Sequence, residues 1–180
     1  VDCGGSTGQK SADAAMEYLY SIGIFRIDGM ILTHPDADHV NGAALLTGRM
    51  PIGETYGIAD TDVLITQRTE ITFADCKITV FPGLTSGTDN EKSLSVLFQP
   101  GKRAILITGD QTVAGENALV AAGLPNLDYL VVGHHGSDTS TGETLLSATR
   151  PLCAVISVGA NNRYGHPDQT VLDRLAAYGC

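Results

Sequence analysis

Thr33-His34-Pro35-Asp36-Ala37-Asp38-His39-Val40-Asn41-Gly42 carries two imidazoles and two carboxylates within six residues, directly after the apolar run Met30-Ile31-Leu32. Helix capping accounts for the carboxylates, because Asp and Asn favour helix N-termini, but it leaves both flanking histidines unexplained. In an extended segment alternate side chains share a face, so His34, Asp36 and Asp38 are expected to converge, with a tight turn bringing His39 round to join them. Imidazole and carboxylate are donors that divalent metals take. Four of them in one short stretch are enough to serve two adjacent ions.

Outward from this motif, strand-like and helix-like patterns alternate. Ala12, Ala15, Met16, Leu19 and Ile22 recur at helical spacing and stop at Gly23, which predicts a helix over 10–22. A strand over 27–33 leads into the motif, and a further helix is expected after it. Residues 70–81 read as a hairpin, and strands over 94–98 and 104–108 flank the turn Pro100-Gly101-Lys102. A helix over 113–122, a strand over 129–132, a short helix near 142–148, a strand over 154–158 and a helix led by Pro167 complete the pattern. This order predicts an α/β class with a mixed sheet. At 180 residues the chain is expected to form a single domain over 1–180.

Composition narrows the function. Hydrophobic residues make up 43% and charged residues 17%, a globular mixture. No apolar run approaches the roughly 20 residues that cross a bilayer, so no membrane contact is encoded in this sequence. Val1-Asp2-Cys3-Gly4-Gly5 reads as a strand end entering a glycine turn rather than a secretory leader. The formal charge of −9 excludes a broad basic surface, so any phosphate ligand needs local cations or bound metal. Cys3, Cys76, Cys153 and Cys180 form no Cys-x-x-Cys pair, which argues against a zinc ribbon or thioredoxin-type site. Cys76 and Cys153, in apolar strand-like segments, are expected to be buried thiols.

Three further positions carry chemistry. Asp110 follows a strand through Gly109 and precedes a helix; alone it suits an N-cap, but beside the first motif it suits a carboxylate bridging two ions. His134 and His135 end an apolar strand, where neighbouring side chains face opposite ways, so one is expected to ligate: His134, with His135 left to contact substrate. His166, just before a helix start, suits metal binding, proton donation to a leaving group, or helix capping.

Taken together, Val1–Gly5, the motif at 33–42, Asn90 with Ser93-Leu94, Thr108-Gly109-Asp110, Gly133-His134-His135-Gly136-Ser137 and Asn162-Arg163-Tyr164-Gly165-His166-Pro167 resemble the metallo-β-lactamase superfamily. More narrowly, they resemble the C-terminal hydrolase domain of ComEC/Rec2-type competence proteins, along nearly the whole chain. The resemblance implies an αββα sandwich of mixed sheets, here trimmed at both ends. It also implies a parent protein with membrane segments outside this stretch and a domain on the extracytoplasmic side of a bacterial membrane. In the wider superfamily a His stands where this sequence has Asp36, a substitution shared by the ComEC-like branch; oxygen in place of nitrogen makes manganese a rival to zinc. Members often carry a further His before the bridging Asp, whereas no histidine lies here between His39 and His134, which puts a second metal in question.

The expected activity is metal-dependent phosphodiester hydrolysis, of DNA during competence-related uptake, with one or two divalent ions, Zn or Mn, at His34, Asp36, Asp38, His39, Asp110 and His134. Metal binding lowers the pKa of water from 15.7 toward about 7. Asp38 is an alternative proton acceptor, His135 and His166 are proton donors, and Asn90, Ser93, Ser137 and Asn162 are hydrogen-bond donors to phosphate. Two alternatives stand beside this: hydrolysis of a phosphocholine-type ester, and a DNA-binding module that does not cleave. A Rossmann reading of Gly4-Gly5-x-x-Gly8 has the wrong spacing.

Overall fold

The computed structural model describes residues 1–180, which divide into two compact units, Val1–Thr66 and Gln67–Cys180. The first unit opens with an extended segment and helix α1 (Gly8–Ser21), whose N-cap Thr7 accepts from the Lys10 N–H. Strand β1 (Ile27–Ile31) follows, then the short helices α2 (Ala37–Val40) and α3 (Ala43–Thr47), then β2 (Ile52–Gly57) and β3 (Val63–Leu64). The three strands form a parallel sheet in the order β1-β2-β3. Buried Ala12, Met30, Leu46 and Met50 form its core, with Cys3 among them. The Cys3 thiol is pushed above its ordinary pKa, chiefly by burial.

The second unit holds a six-stranded sheet of β4 (Thr69–Phe73), β5 (Cys76–Phe81), β6 (Ser95–Pro100), β7 (Ile105–Ile107), β8 (Tyr129–Val131) and β9 (Cys153–Val155), in that order. Pairing is antiparallel through β7 and parallel from β7 to β9. The helices are α4 (Asp89–Lys92), α5 (Val113–Ala121), α6 (Glu143–Thr149) and α7 (Gln169–Ala177). Leu106 and Leu130, on neighbouring strands, are wholly buried together with Leu145, Leu146 and Val171. Each such side chain contributes about 1.5–3 kcal/mol by leaving water.

The α/β class with a mixed sheet holds, as do the hairpin and every predicted helix and strand to within a few residues. Sequence reasoning missed β2, β3 and α4. In β2 two glycines and a glutamate dilute the strand signal, yet Gly53 is there for a reason: a Cβ would overlap the backbone of Asp28 on the paired strand β1. The thiols also need correcting. Cys153 is exposed and Cys76 half-exposed, because β9 is an edge strand and Cys76 opens β5 at the hairpin turn. No helix is long and apolar enough to cross a membrane.

Candidate functional site

Each unit carries its own set of metal-type donors. In the first, β1 delivers the chain to Thr33 and His34, both almost fully buried. The motif is not extended throughout, as alternation required: α2 begins at Ala37, so Asp38 and His39 lie on a helical turn. Asp36 occupies the N-cap position of α2, but its side chain makes no capping bond. Its Oδ2 lies instead 3.6 Å from His34 Nε2. Ligand atoms of Asp38 and His39 lie within 4.8 Å of each other, as do those of His34 and His39.

What orients these rings is Asp2. Its Oδ2 accepts from His39 Nδ1 at 2.9 Å and from the Thr33 hydroxyl at 2.9 Å, while Oδ1 accepts the Thr33 N–H at 2.8 Å. A hydroxyl has one proton to give. Having given it to Asp2, Thr33 Oγ1 accepts from His34 Nδ1 at 3.0 Å. In the neutral rings these contacts put the proton on Nδ1 and leave Nε2 as the acceptor, the form a metal requires. The Asp2 segment is bound to the motif by Cys3 N–H to His39 O, Gly42 N–H to Cys3 O, and the Asn41 amide on both backbone groups of Gly5. Gly4 permits this approach: a Cβ there would overlap the backbone of Asp38 and His39. Sequence reasoning gave Asp2 no role; the signal available was a carboxylate just ahead of a glycine turn, since ligand histidines need such a partner.

In the second unit Asp110 is buried at the end of β7, its N–H donating to Ser93 Oγ at 3.1 Å. The Gln111 side-chain amide donates to the Ser93 carbonyl. The N-cap of α5 is Thr112, so Asp110 is not a cap. His134 and His135 do not continue β8. The chain turns through a 3₁₀ turn, Gly133–Gly136, in which both residues take left-handed conformations, with φ of 48° and 54°. Strand alternation therefore fails there, and both rings reach Asp110: His134 Nε2 lies 3.7 Å from Oδ2 and His135 Nε2 lies 4.0 Å from Oδ1. His135 Nδ1 donates to the Ser157 carbonyl at 2.8 Å, which in the neutral ring leaves Nε2 as the acceptor. The Asn90 amide donates to His134 Nε2 at 3.2 Å, which marks that nitrogen too as an acceptor.

These separations fit a metal. At 3.6–4.0 Å a carboxylate oxygen and an imidazole nitrogen are too far apart for a hydrogen bond. They are within twice the ~2.0–2.2 Å of a metal–ligand bond, as two ligands of one ion are.

The remaining predicted residues surround this set. The His166 ring centroid is 6.0 Å from that of His134, and α7 is capped by Asp168, so His166 does not cap it. Asn162 is engaged within its own loop, accepting from the N–H groups of Tyr164 and His166 and donating to the His166 carbonyl. Ser137 is buried against Thr139 Oγ1 at 3.0 Å. Asn90 lies on α4, whose Thr88 and Glu91 form a capping box.

The sequence model of the metallo-beta-lactamase superfamily matches residues 1–75. ComE operon protein 3 of Bacillus subtilis is 33% identical over 94% of this chain and 24% of its own length. Competence protein ComA of Neisseria gonorrhoeae is 34% identical over 89% of this chain and 24% of its own. The chain thus spans about a quarter of the length of these relatives, 24% in each. Among solved structures, the metallo-β-lactamase MIM-1 from Novosphingobium pentaromativorans superposes with a TM-score of 0.60 over 98% of this chain and 79% of that one, at 12% identity. That likeness speaks to fold alone. With the motif order, the matched family model and the competence relatives in agreement, the chain belongs to the metallo-β-lactamase superfamily.

Proposed function

We propose that this chain is a metal-dependent phosphodiesterase that cleaves DNA in competence-related uptake, its two units working as one domain. The observation that carries the reading is buried Asp110 facing two imidazole nitrogens at 3.7 and 4.0 Å, carboxylate and imidazole donors of the kind divalent cations take. His34, Asp36, Asp38, His39, Asp110 and His134 hold one or two divalent ions, zinc or manganese, with His135 as an added ligand or substrate contact. A bound divalent ion supplies a nucleophilic water at neutral pH and offsets phosphate charge, which a chain of net charge −9 otherwise repels.

The protein's own groups do the rest. Asp38, exposed on α2, takes the proton of the attacking water when it is not a ligand. His166, or His135 when it is not a ligand, returns one to the leaving oxygen. Asp2, Thr33, Asn90 and Ser93 position ligands, and Ser137 and Asn162 hold the loops that line the reacting phosphate. DNA as substrate, and a place outside the cytoplasm in a larger membrane-borne protein, are what the resemblance to ComEC/Rec2-type proteins implies; the relatives themselves are named for competence.

The test is elemental analysis of protein reconstituted with Zn or Mn, followed by hydrolysis assays on a labelled DNA oligomer and on p-nitrophenylphosphocholine. Metal-dependent cleavage of DNA, lost on chelation, is expected. Metal-loaded protein that cleaves only the choline ester, or a protein that takes up no metal and still binds DNA, overturns it.

A further inference from the structure

One feature of the second unit serves neither its core nor its metal-type donors. In the loop before α7 the Tyr164 ring is 65% exposed, and Arg163 lies against it, its guanidinium carbon 4.9 Å from the ring centroid and its Nη2 donating to the phenol oxygen at 2.7 Å. On the inner side the His166 ring is stacked with Tyr164, centroids 5.8 Å apart and planes 15° apart. His166 in turn lies 6.0 Å from His134, which faces Asp110. A row of planar groups therefore runs from the buried carboxylate outward: His134, His166, Tyr164, Arg163.

The Tyr164 side chain is not what shapes this loop. Asn162 does that, its Oδ1 accepting from the N–H groups of Tyr164 and His166 at 3.1 and 3.0 Å and its Nδ2 donating to the His166 carbonyl at 2.7 Å. The backbone of Tyr164 is thus pinned while its ring is left in water. What distinguishes this exposed ring is its company, a guanidinium over it and a histidine beneath it that leads to the buried carboxylate.

We infer that Tyr164 and Arg163 form a recognition platform for an unpaired nucleotide next to the scissile phosphate: the base stacks on the layered Arg163–Tyr164 pair, and the edge of the same guanidinium contacts the neighbouring phosphate. The inference deepens the phosphodiesterase reading and rests on it for the word scissile. Aromatic rings accept any base by its π-face, and a guanidinium suits both stacking and phosphate. In a chain of net charge −9, a cation on this row is where a polyanion finds attraction. A base within a duplex is already stacked on its neighbours, so the ligand is a single strand.

The experiment is fluorescence anisotropy of a labelled twelve-residue oligothymidylate, its abasic counterpart and a duplex of equal length, with wild type, Tyr164→Leu, Tyr164→Phe and Arg163→Gln. Tyr164→Leu is expected to weaken oligothymidylate binding about ten-fold, Tyr164→Phe less than about two-fold, and neither to change binding of the abasic strand. Arg163→Gln lowers the slope of log affinity against log salt by about 0.7, one phosphate contact on a single strand. Equal affinity of wild type and Tyr164→Leu for oligothymidylate, an equal loss on the abasic strand, or tighter binding of duplex than single strand overturns the inference. Binding is read without turnover. A protein that shows the Tyr164 effect but cleaves nothing therefore retains the platform and loses the phosphodiesterase reading, whereas cleavage with no Tyr164 effect does the reverse.

Discussion

Asp2 Oδ2 lies 2.9 Å from His39 Nδ1, and that one contact fixes which nitrogen of a buried histidine faces outward. Because the same oxygen also takes the Thr33 hydroxyl proton, and Thr33 in turn accepts from His34, one carboxylate sets the tautomer of both rings. Asp2→Ala should therefore weaken zinc or manganese binding about 10–100-fold while leaving every proposed ligand in place. Isothermal titration of the metal into the apo protein measures this; unchanged affinity would mean that Asp2 orients nothing the metal uses.

Gly4 tests the same junction sterically. A methyl group at this position overlaps the backbone of Asp38 and His39, which has no flexible end to move aside. Gly4→Ala should cost about 1–3 kcal/mol of stability, the usual penalty of overpacking, visible as a lower urea midpoint. Gly23→Ala, where nothing lies within 4 Å of the added carbon, is the control for space; its φ of +78° makes its own cost one of backbone strain.

His134 and His135 are expected to behave alike, not as ligand and bystander. Both Nε2 atoms face Asp110, so His134→Ala and His135→Ala should each reduce metal affinity in the same titration. An effect confined to His134 would favour His134 as the one ligand of the pair and contradict this expectation.

Much of this was legible in the primary structure. The alternation of elements gave the α/β class because long amphipathic patterns such as Ala12–Ile22 and the 70–81 hairpin carry their own periodicity. The donor residues were legible because His and Asp crowd together at element ends without structural need. What was not legible depends on conformation. The left-handed turn at His134 and His135 has no side-chain signature beyond the following glycine, and α2 is too short to show helical spacing. The role of Asp2 arises from a contact across 37 residues of sequence, which only tertiary structure brings about.

Glu116 offers a prediction in pH. Its carboxylate is wholly buried and accepts the N–H groups of Thr141 and Gly142 at 2.6 and 2.7 Å. Burial pushes its pKa above the ordinary glutamate value, outweighing the opposing effect of those two donors. A raised folded-state pKa means the protonated form is favoured in the native protein, so the associated stability is full below the unfolded-state value and lost as pH rises through the folded one. Relative to Glu116→Gln, the wild type should lose stability as pH rises from the ordinary glutamate range through the raised value, and then level off. Urea melts across pH 4–8 read this; an opposite slope contradicts it. Glu116→Ala should be destabilised by ~1–3 kcal/mol for each backbone donor left without an acceptor.

The most direct test of the metal reading is a zinc and manganese titration of wild type, His39→Ala and Asp110→Ala, with bound metal counted by elemental analysis and folding checked by circular dichroism. Wild type should hold one or two ions, and each substitution alone should remove or greatly weaken the same ion while the fold persists. A wild type that retains no metal, or an Asp110→Ala protein with undiminished stoichiometry and affinity, would contradict the proposal that both motifs serve one metal centre.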